Sequence, residues 1–405
     1  MSNKTEAASN IVAYFMPFIQ GDVITMKDPY IPLEFVQPVV EGVRDIFASE
    51  PAVLQVDGNI NIVGDIHGHL FDLYHIFSHF GLPPDTRFLF LGDLVDRGNY
   101  SVQTILFLYA LKILFPHDIQ IIRGNHESLK LSKTQGFYSD LMVAYQREDL
   151  YELFIESFQY MPLAAVVKNS ILCVHGGFDE NLKTIDQIMQ ISRPSPAGDS
   201  DNSIIDGLLW SDPSAKGSGF ETSPRGIGRL FGEDVFENFL KNTGMNYLVR
   251  GHECVEKGVR YMFNDRLITV FSASEYCGFI ENKAGVVIID DSPFFKEYTF
   301  SIKDLINAKR AIESHEIIEK KKFSFNRKSA TVLIKKTQRA IACVKSPWMN
   351  KSKLVLSRSI YNMSSMRTDD EDDEDESLQH VKKSMFVLPV LRAGGDKSNA
   401  FHDLK

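Results

Sequence analysis

The chain is short of the residues and runs that would place it outside the cell or in a membrane. Its 405 residues include only four cysteines (Cys173, Cys254, Cys277 and Cys343), at scattered spacing. That is neither a disulfide framework nor a CxxC zinc site, so a reducing compartment, cytoplasm or nucleus, is expected. No uncharged apolar run approaches the length of a membrane span. The longest, Ser101–Phe115, is broken by Lys112 and reads as a buried amphipathic helix. The opening residues Met1-Ser-Asn-Lys-Thr-Glu are polar and lack the apolar core of a signal segment. Ser2 stands where myristoylation needs a glycine, and the last residues form no prenylation box. A net charge of −9 provides no bulk attraction to nucleic acid or anionic lipid, so neither is expected as a partner. A hydrophobic content of 44% suffices for a sizeable core, in one large domain or two.

Residues 1–10 read as a frayed, flexible start. Residues 11–50 have helical apolar spacing, cut into pieces by Pro17, Pro29, Pro32 and Pro38. From about Val53 to Phe300 short apolar strands alternate with helical stretches, of which Leu70–Phe80 and Ser101–Phe115 are the clearest. That is βαβ order, a sheet covered by helices. Two late strands without helices, Leu267–Phe271 and Gly285–Asp290, suggest mixed sheets packed face to face. Arg193–Ser203 is polar and rich in turn residues, a surface loop. The folded catalytic domain is expected to span 11–305. Beyond it, 306–405 reads as a largely disordered tail with basic clusters and an unbroken run of eight acids, Asp369–Glu376. The acid run is expected to restrain activity at low salt by its attraction to a positive site.

Five motifs carry the chemistry: Gly-Asp-Ile-His-Gly (64–68), Gly-Asp-Leu-Val-Asp-Arg-Gly (92–98), Arg-Gly-Asn-His-Glu (123–127), His-Gly-Gly (175–177) and Arg-Gly-His-Glu (250–253). Each follows an apolar run that reads as a strand: Ile60–Val63, Phe88–Leu91, Ile119–Ile122, Ile171–Val174 and Tyr247–Val249. Strands ending in Asp, His and Asn line one sheet edge with oxygen and nitrogen ligands, which can hold two metal ions and split a phosphate ester. Asp65 and His67, two apart in an extended segment, point the same way and reach one ion. Each oxygen of Asp93 can serve a different metal. Asn125 offers a neutral carbonyl oxygen, and His175 and His252 each close a strand. Oxygen and imidazole donors without thiolate suit manganese, iron or zinc. His126 diverges from its neighbour Asn125 and is left free as an acid, with Asp96 to orient it. Arg97 and Arg225 are candidate phosphate clamps, since a guanidinium matches phosphate oxygens in pairs.

Together these motifs resemble the phosphoprotein phosphatase family of serine/threonine phosphatases, in its type 1 and type 2A branch. The likeness covers roughly 11–300. Gly136-Phe137-Tyr138, Leu209-Trp210-Ser211-Asp212-Pro213, Arg225-Gly226, Phe231-Gly232 and Tyr276-Cys277-Gly278 agree with it. The resemblance implies an α/β fold: a central β-sandwich of mixed sheets flanked by helices, the calcineurin-like metallophosphoesterase arrangement. It implies one metal on Asp65, His67 and Asp93 and a second on Asp93, Asn125, His175 and His252. A hydroxide between the ions would attack phosphorus in line, in a single step. His126 would protonate the departing serine or threonine oxygen, Arg97, Asn125 and Arg225 would hold the phosphate, and Tyr276 would lie at the rim. Partners would be phosphorylated proteins, with room for regulatory subunits. Two departures stand out. Ser274-Glu275 replaces the usual Pro-Asn, which loosens the loop and adds a negative charge near the phosphate site; Gly251 replaces the usual Ala, a tolerable exchange. Phe178-Asp179-Glu180 also departs, after His-Gly-Gly. Rival readings are a nucleotide phosphodiesterase with the same metal pattern and an inactive docking module. Activity on a phosphopeptide against a phosphodiester separates the first, and a metal assay the second.

Overall fold

A computed structural model describes residues 2–20, 30–195 and 202–309. The middle of the Arg193–Ser203 loop lies outside the described residues. So does everything after 309, including the basic clusters and the acid run.

The chain opens on two helices, α1 (Asn3–Gln20) and α2 (Leu33–Ser49). The frayed start expected at 1–10 is instead helix from Asn3. Ala7, Ala8, Ile11, Phe15 and Ile19 recur at helical spacing and are buried, which outweighs the polar composition of the segment. Pro17 and Pro38 lie inside these helices rather than ending them. Each removes one backbone donor, a loss that the buried apolar stripe outweighs.

Strands β2 (Ile60–Val63), β3 (Phe88–Phe90) and β4 (Ile119–Ile121) run parallel, with α3 (Leu70–Phe80) and α4 (Ser101–Leu114) as the crossovers between them. The late strand β13 (Ala284–Ile289) adds antiparallel to the free edge of β2, and β14 (Lys296–Phe300) adds to β13. The order of this sheet is β14-β13-β2-β3-β4. The second sheet runs β1 (Val53–Val56), β5 (Ala164–Val167), β6 (Ile171–Val174), β10 (Tyr247–Arg250), β12 (Leu267–Val270) and β11 (Val259–Met262). Here β6, β10 and β12 are parallel. A small third sheet joins β7 (Asp212–Pro213), β9 (Arg229–Phe231) and β8 (Phe220–Thr222).

The two large sheets face each other across a dry layer. Ile62, Leu89, Leu91 and Ile122 come from one side and Cys173, Val249, Ile268 and Val270 from the other. Strands buried on both faces read as continuous apolar runs, as these do. Helices cover the outer faces. Helix α3 packs Phe77 on Phe88 and Phe90, and α1 and α2 pack in turn on α4; the helices Ser203–Trp210 and Glu233–Thr243 pack on Leu172, Val174 and Leu248. Helix α4 is buried nearly all round, including Lys112, whose ammonium donates to Glu50, the Pro116 carbonyl and Gln120. The charge that interrupts the longest apolar run is therefore satisfied inside the fold.

Candidate metal centre

The five motifs leave the carboxyl ends of β2, β3, β4, β6 and β10, where open α/β sheets bind their ligands. The turns are tight enough to demand glycine. A Cβ on Gly92 would lie 2.1 Å from the Gly124 nitrogen, and one on Gly124 would lie 2.2 Å from the Asp93 nitrogen. The loops after β3 and β4 thus run back to back. His67, Asp93, Asp96, Arg97 and His252 all have left-handed backbone, with φ between +46° and +71°. Such conformations cost about 1–3 kcal/mol each and survive where the surroundings over-determine them. The turn at His67 also changes how Asp65 and His67 meet. Their side chains converge through a left-handed bend, not through the extended i, i+2 alignment expected from the sequence.

The side chains form one buried cluster. His67 Nε2 lies 3.8 Å from Asp65 Oδ2 and 3.4 Å from Asp93 Oδ2. His175 Nε2 lies 3.3 Å from Asp93 Oδ1, so the two oxygens of Asp93 face different imidazoles. Asn125 Oδ1 sits 2.8 Å from His175 Nε2, 3.1 Å from His252 Nδ1, and 3.2 and 3.1 Å from the two Asp93 oxygens. His67 and His175 each donate Nδ1–H to a backbone carbonyl of the stretch after β3, Val95 at 2.8 Å and Leu91 at 2.9 Å, which turns both Nε2 atoms into the pocket. His175 Nε2, His252 Nδ1 and both Asp93 oxygens thus converge on one end of the Asn125 amide. Imidazole and oxygen donors gathered at one point are what a transition-metal site requires. His67, Asp93 and His126 can bring one atom each within 4.8 Å of one another, as can Asp93, His175 and His252. The donor set fits two metal ions.

The electrostatics agree. Burial, then the Asp93 charge, pushes the Asp65 carboxyl up to about 7. Burial opposes ionisation of Asp93 too, but His175, His126 and His67 hold its carboxyl well below the usual range. Burial pushes His67 down to about 3, leaving the neutral imidazole a metal requires. Burial alone would lower His175, yet the surrounding carboxylates, Asp93 first, push it up to about 9. Protons crowd where cations belong, and metal binding would release them.

His126 stands beside this cluster, its ring 4.7 Å edge-on from that of His67. Its Nδ1 meets Asp96 Oδ2 at 2.6 Å. The other Asp96 oxygen accepts the Phe137 amide at 2.9 Å, so the carboxylate is fixed before it fixes the histidine. Burial lowers the His126 pKa, but Asp93 and the hydrogen-bonded Asp96 outweigh it, so the imidazole stays protonated to higher pH than usual. The Tyr276 ring stacks 5.3 Å from His67. Arg225, between β8 and β9, donates Nε–H to Asp212 Oδ2 at 2.6 Å, and its charge helps hold His252 well below its ordinary pKa, after burial. Arg97 is exposed, and its charge bears on His67 and Tyr276.

Residues 58–256 match the calcineurin-like phosphoesterase family. The chain is 35% identical over 283 residues to a protein phosphatase 2A catalytic subunit of Dictyostelium discoideum, across 69% of this chain and 90% of that one. It belongs to the phosphoprotein phosphatase family. Serine/threonine-protein phosphatase PP1-delta of Caenorhabditis elegans is 37% identical over 249 residues, across 62% of this chain and 81% of its own length. A solved Saccharomyces cerevisiae serine/threonine phosphatase, described as similar to human phosphatase PP5, superposes with a TM-score of 0.65 at 29% identity. It covers 72% of this chain and 96% of its own. The fold is the calcineurin-like metallophosphoesterase sandwich.

Within this phosphatase several residues support the site that the sequence reading gave no role. Glu127 is buried and accepts three backbone amides, Asp93 at 2.7 Å, Leu94 at 2.8 Å and Gly124 at 2.9 Å, pinning the loops after β3 and β4 together. Arg250 is fully buried; it donates to the Gly176 carbonyl at 2.6 Å and to Asp212 Oδ1 at 2.7 Å, so Asp212 joins Arg250 to Arg225. Both lie inside quoted motifs, which was the signal available. Gly251 does more than stand in for alanine. A Cβ there would lie 2.4 Å from Asp65 Oδ1, the atom that accepts the His252 amide at 3.0 Å. Alanine would displace a carboxylate of the cluster. Glu275 also differs from expectation, because its carboxylate accepts the Ser301 hydroxyl at 3.3 Å and bonds to no site residue among the described hydrogen bonds.

Asp72 supports the same loop, accepting the Ser274 amide at 3.0 Å. Burial pushes its carboxyl from 3.8 up to about 7. Between those values the fold keeps a proton that the unfolded chain has released. This contribution is full at low pH and is lost as pH rises through 7. Asp72→Asn keeps the acceptor without the charge. Its melting temperature, relative to the parent and with metals loaded, should rise from pH 5 to about pH 7 and level off above it; a difference that ignores pH would reject this account.

Proposed function

We propose that this chain is a protein serine/threonine phosphatase that hydrolyses phosphoserine and phosphothreonine by a single in-line displacement. The observation that carries this reading is Asp93, one oxygen toward His67 and the other toward His175, with the His126–Asp96 pair at its side. Asp65, His67 and Asp93 would hold one metal; Asp93, Asn125, His175 and His252 would hold the other. When bound, such a pair activates water as a nucleophile and neutralises phosphate charge. The protein's own groups do the rest. His126, its Nδ1 held by Asp96, presents Nε2 to the departing alkoxide and gives it a proton. Arg97, Arg225 and Asn125 orient the phosphate, and Tyr276 closes one wall. No nucleophilic side chain is needed.

Manganese, iron or zinc suits the oxygen and imidazole donors. Substrates are phosphorylated proteins, and regulatory subunits are expected to direct the choice among them. A cytoplasmic or nuclear setting is proposed from the few, scattered cysteines of the sequence. No helix among the described residues is long and apolar enough to cross a membrane.

Metal-loaded protein should turn over phosphothreonine peptides faster than matched phosphotyrosine peptides, and faster than a phosphodiester. Preference for phosphotyrosine, or for the diester, in a steady-state comparison would falsify the assignment.

A further inference from the structure

The loop between β12 and β13 carries Tyr276, and the two residues before it, Ser274 and Glu275, are those that depart from the family. Both reach the start of helix 302–309. Ile302 donates its amide to Ser274 Oγ at 3.2 Å, and Ser301 donates its hydroxyl to Glu275 Oε1 at 3.3 Å. Ser301 caps that helix, accepting the Asp304 amide on Oγ at 3.2 Å and the Leu305 amide on its carbonyl at 3.0 Å. On the other side Ser274 donates its own amide to Asp72, while Asn282 Oδ1 accepts the Tyr276 amide at 2.9 Å. A proline at 274 would have neither the hydroxyl nor the amide. Ser274 is 3% exposed, so its hydroxyl depends on protein partners such as the Ile302 amide, and losing one is costly. The loop conformation is itself demanding: Glu275 and Cys277, on either side of Tyr276, have φ of +51° and +56°. A left-handed pair of this kind holds its shape only under outside constraint, and the helix start supplies one.

We infer that Ser274 and Glu275 are positioning residues for substrate recognition: they latch the first turn of helix 302–309 onto the loop that presents Tyr276. The rim of the site then depends on chain beyond the last strand. This rests on the phosphatase reading above, and it concerns the protein part of the substrate rather than the phosphate.

The test opens the latch from either side. Ser274→Ala removes the acceptor. Ile302→Pro removes the donor at the first helical position, where proline is well accepted, and Ile302→Ala controls for the lost side chain. Each opening should raise KM for a phosphothreonine peptide about 5-fold, the scale of one hydrogen bond. Metal content and kcat on a small aryl phosphate should stay as in the parent. The double variant should be no worse than either single, and Ser274→Thr and Glu275→Gln, which keep the acceptors, should behave as the parent. Amide hydrogen exchange gives a readout that needs no turnover: opening either side should speed exchange in 273–278 and in 302–305 together. Additive effects, exchange that quickens only beside the mutation, or equal losses on both substrates would overturn the latch. A parent protein inactive on phosphothreonine peptides would instead fail the phosphatase reading, while exchange still decided the latch.

Discussion

Asp93→Ala should strip both metals and remove nearly all turnover. The carboxylate has one oxygen toward His67 and the other toward His175, and Oδ1 also accepts the His126 amide at 2.9 Å. One side chain therefore links both proposed metal positions to the backbone of the loop that carries His126. Losing a group that only supports a ligand typically weakens metal binding by about 10–100-fold. Losing the shared ligand should exceed that for each ion, and metal content by mass spectrometry after gel filtration reads it directly. A variant that retained one ion at parental affinity would show that Asp93 does not bridge.

His126→Ala should fail differently. The activity loss belongs on the order of 10²–10⁴-fold, the usual share of a positioned acid, while both ions stay bound. The geometry makes this a real choice, since His126 can approach His67 and Asp93 closely enough to ligate. Its Nδ1 is committed to Asp96 at 2.6 Å, and burial of that carboxylate makes the pair strong. If the variant lost metal as completely as Asp93→Ala, His126 would be a ligand and another group would protonate the leaving oxygen. A substrate whose leaving group needs no proton, such as a nitrophenyl phosphate, should be spared much of the loss.

Much of this architecture was legible in the sequence because strands buried on both faces spell themselves as short apolar runs. The proposed ligands follow those runs directly, so β2, β3, β4, β6 and β10 and the side chains after them could be named in order. What was missed depends on contacts between distant segments. Glu127 reaches Asp93 and Leu94, Asp212 joins Arg225 to Arg250, and Ser274 meets Ile302. None of these leaves a periodicity. The first turn of α1 was misread for a related reason: Ala7 and Ala8 look neutral in composition, and only the close approach of α2 and α4 makes them core. The left-handed backbone at His67 and Asp93 is invisible as well, since the residue type alone does not mark which histidine or aspartate takes it.

The place of β13 in its sheet also bears on how the chain is made. Strand β2 leaves the ribosome early, yet its partner on that edge, Ala284–Ile289, comes more than two hundred residues later. Until then Ile60–Val63 has a bare hydrogen-bonding edge, a template for stray pairing. Asp65, His67, Asp93, Asn125, His175 and His252 have all been made by then, so the nascent chain holds the whole pocket before the sheet beneath it is complete. Synthesis must pass residue 289 before sheet and site can close together. Slow, long-range closure of this kind is where a chain is most exposed to aggregation, and it makes the growing chain, rather than the finished enzyme, the form in greatest need of a chaperone.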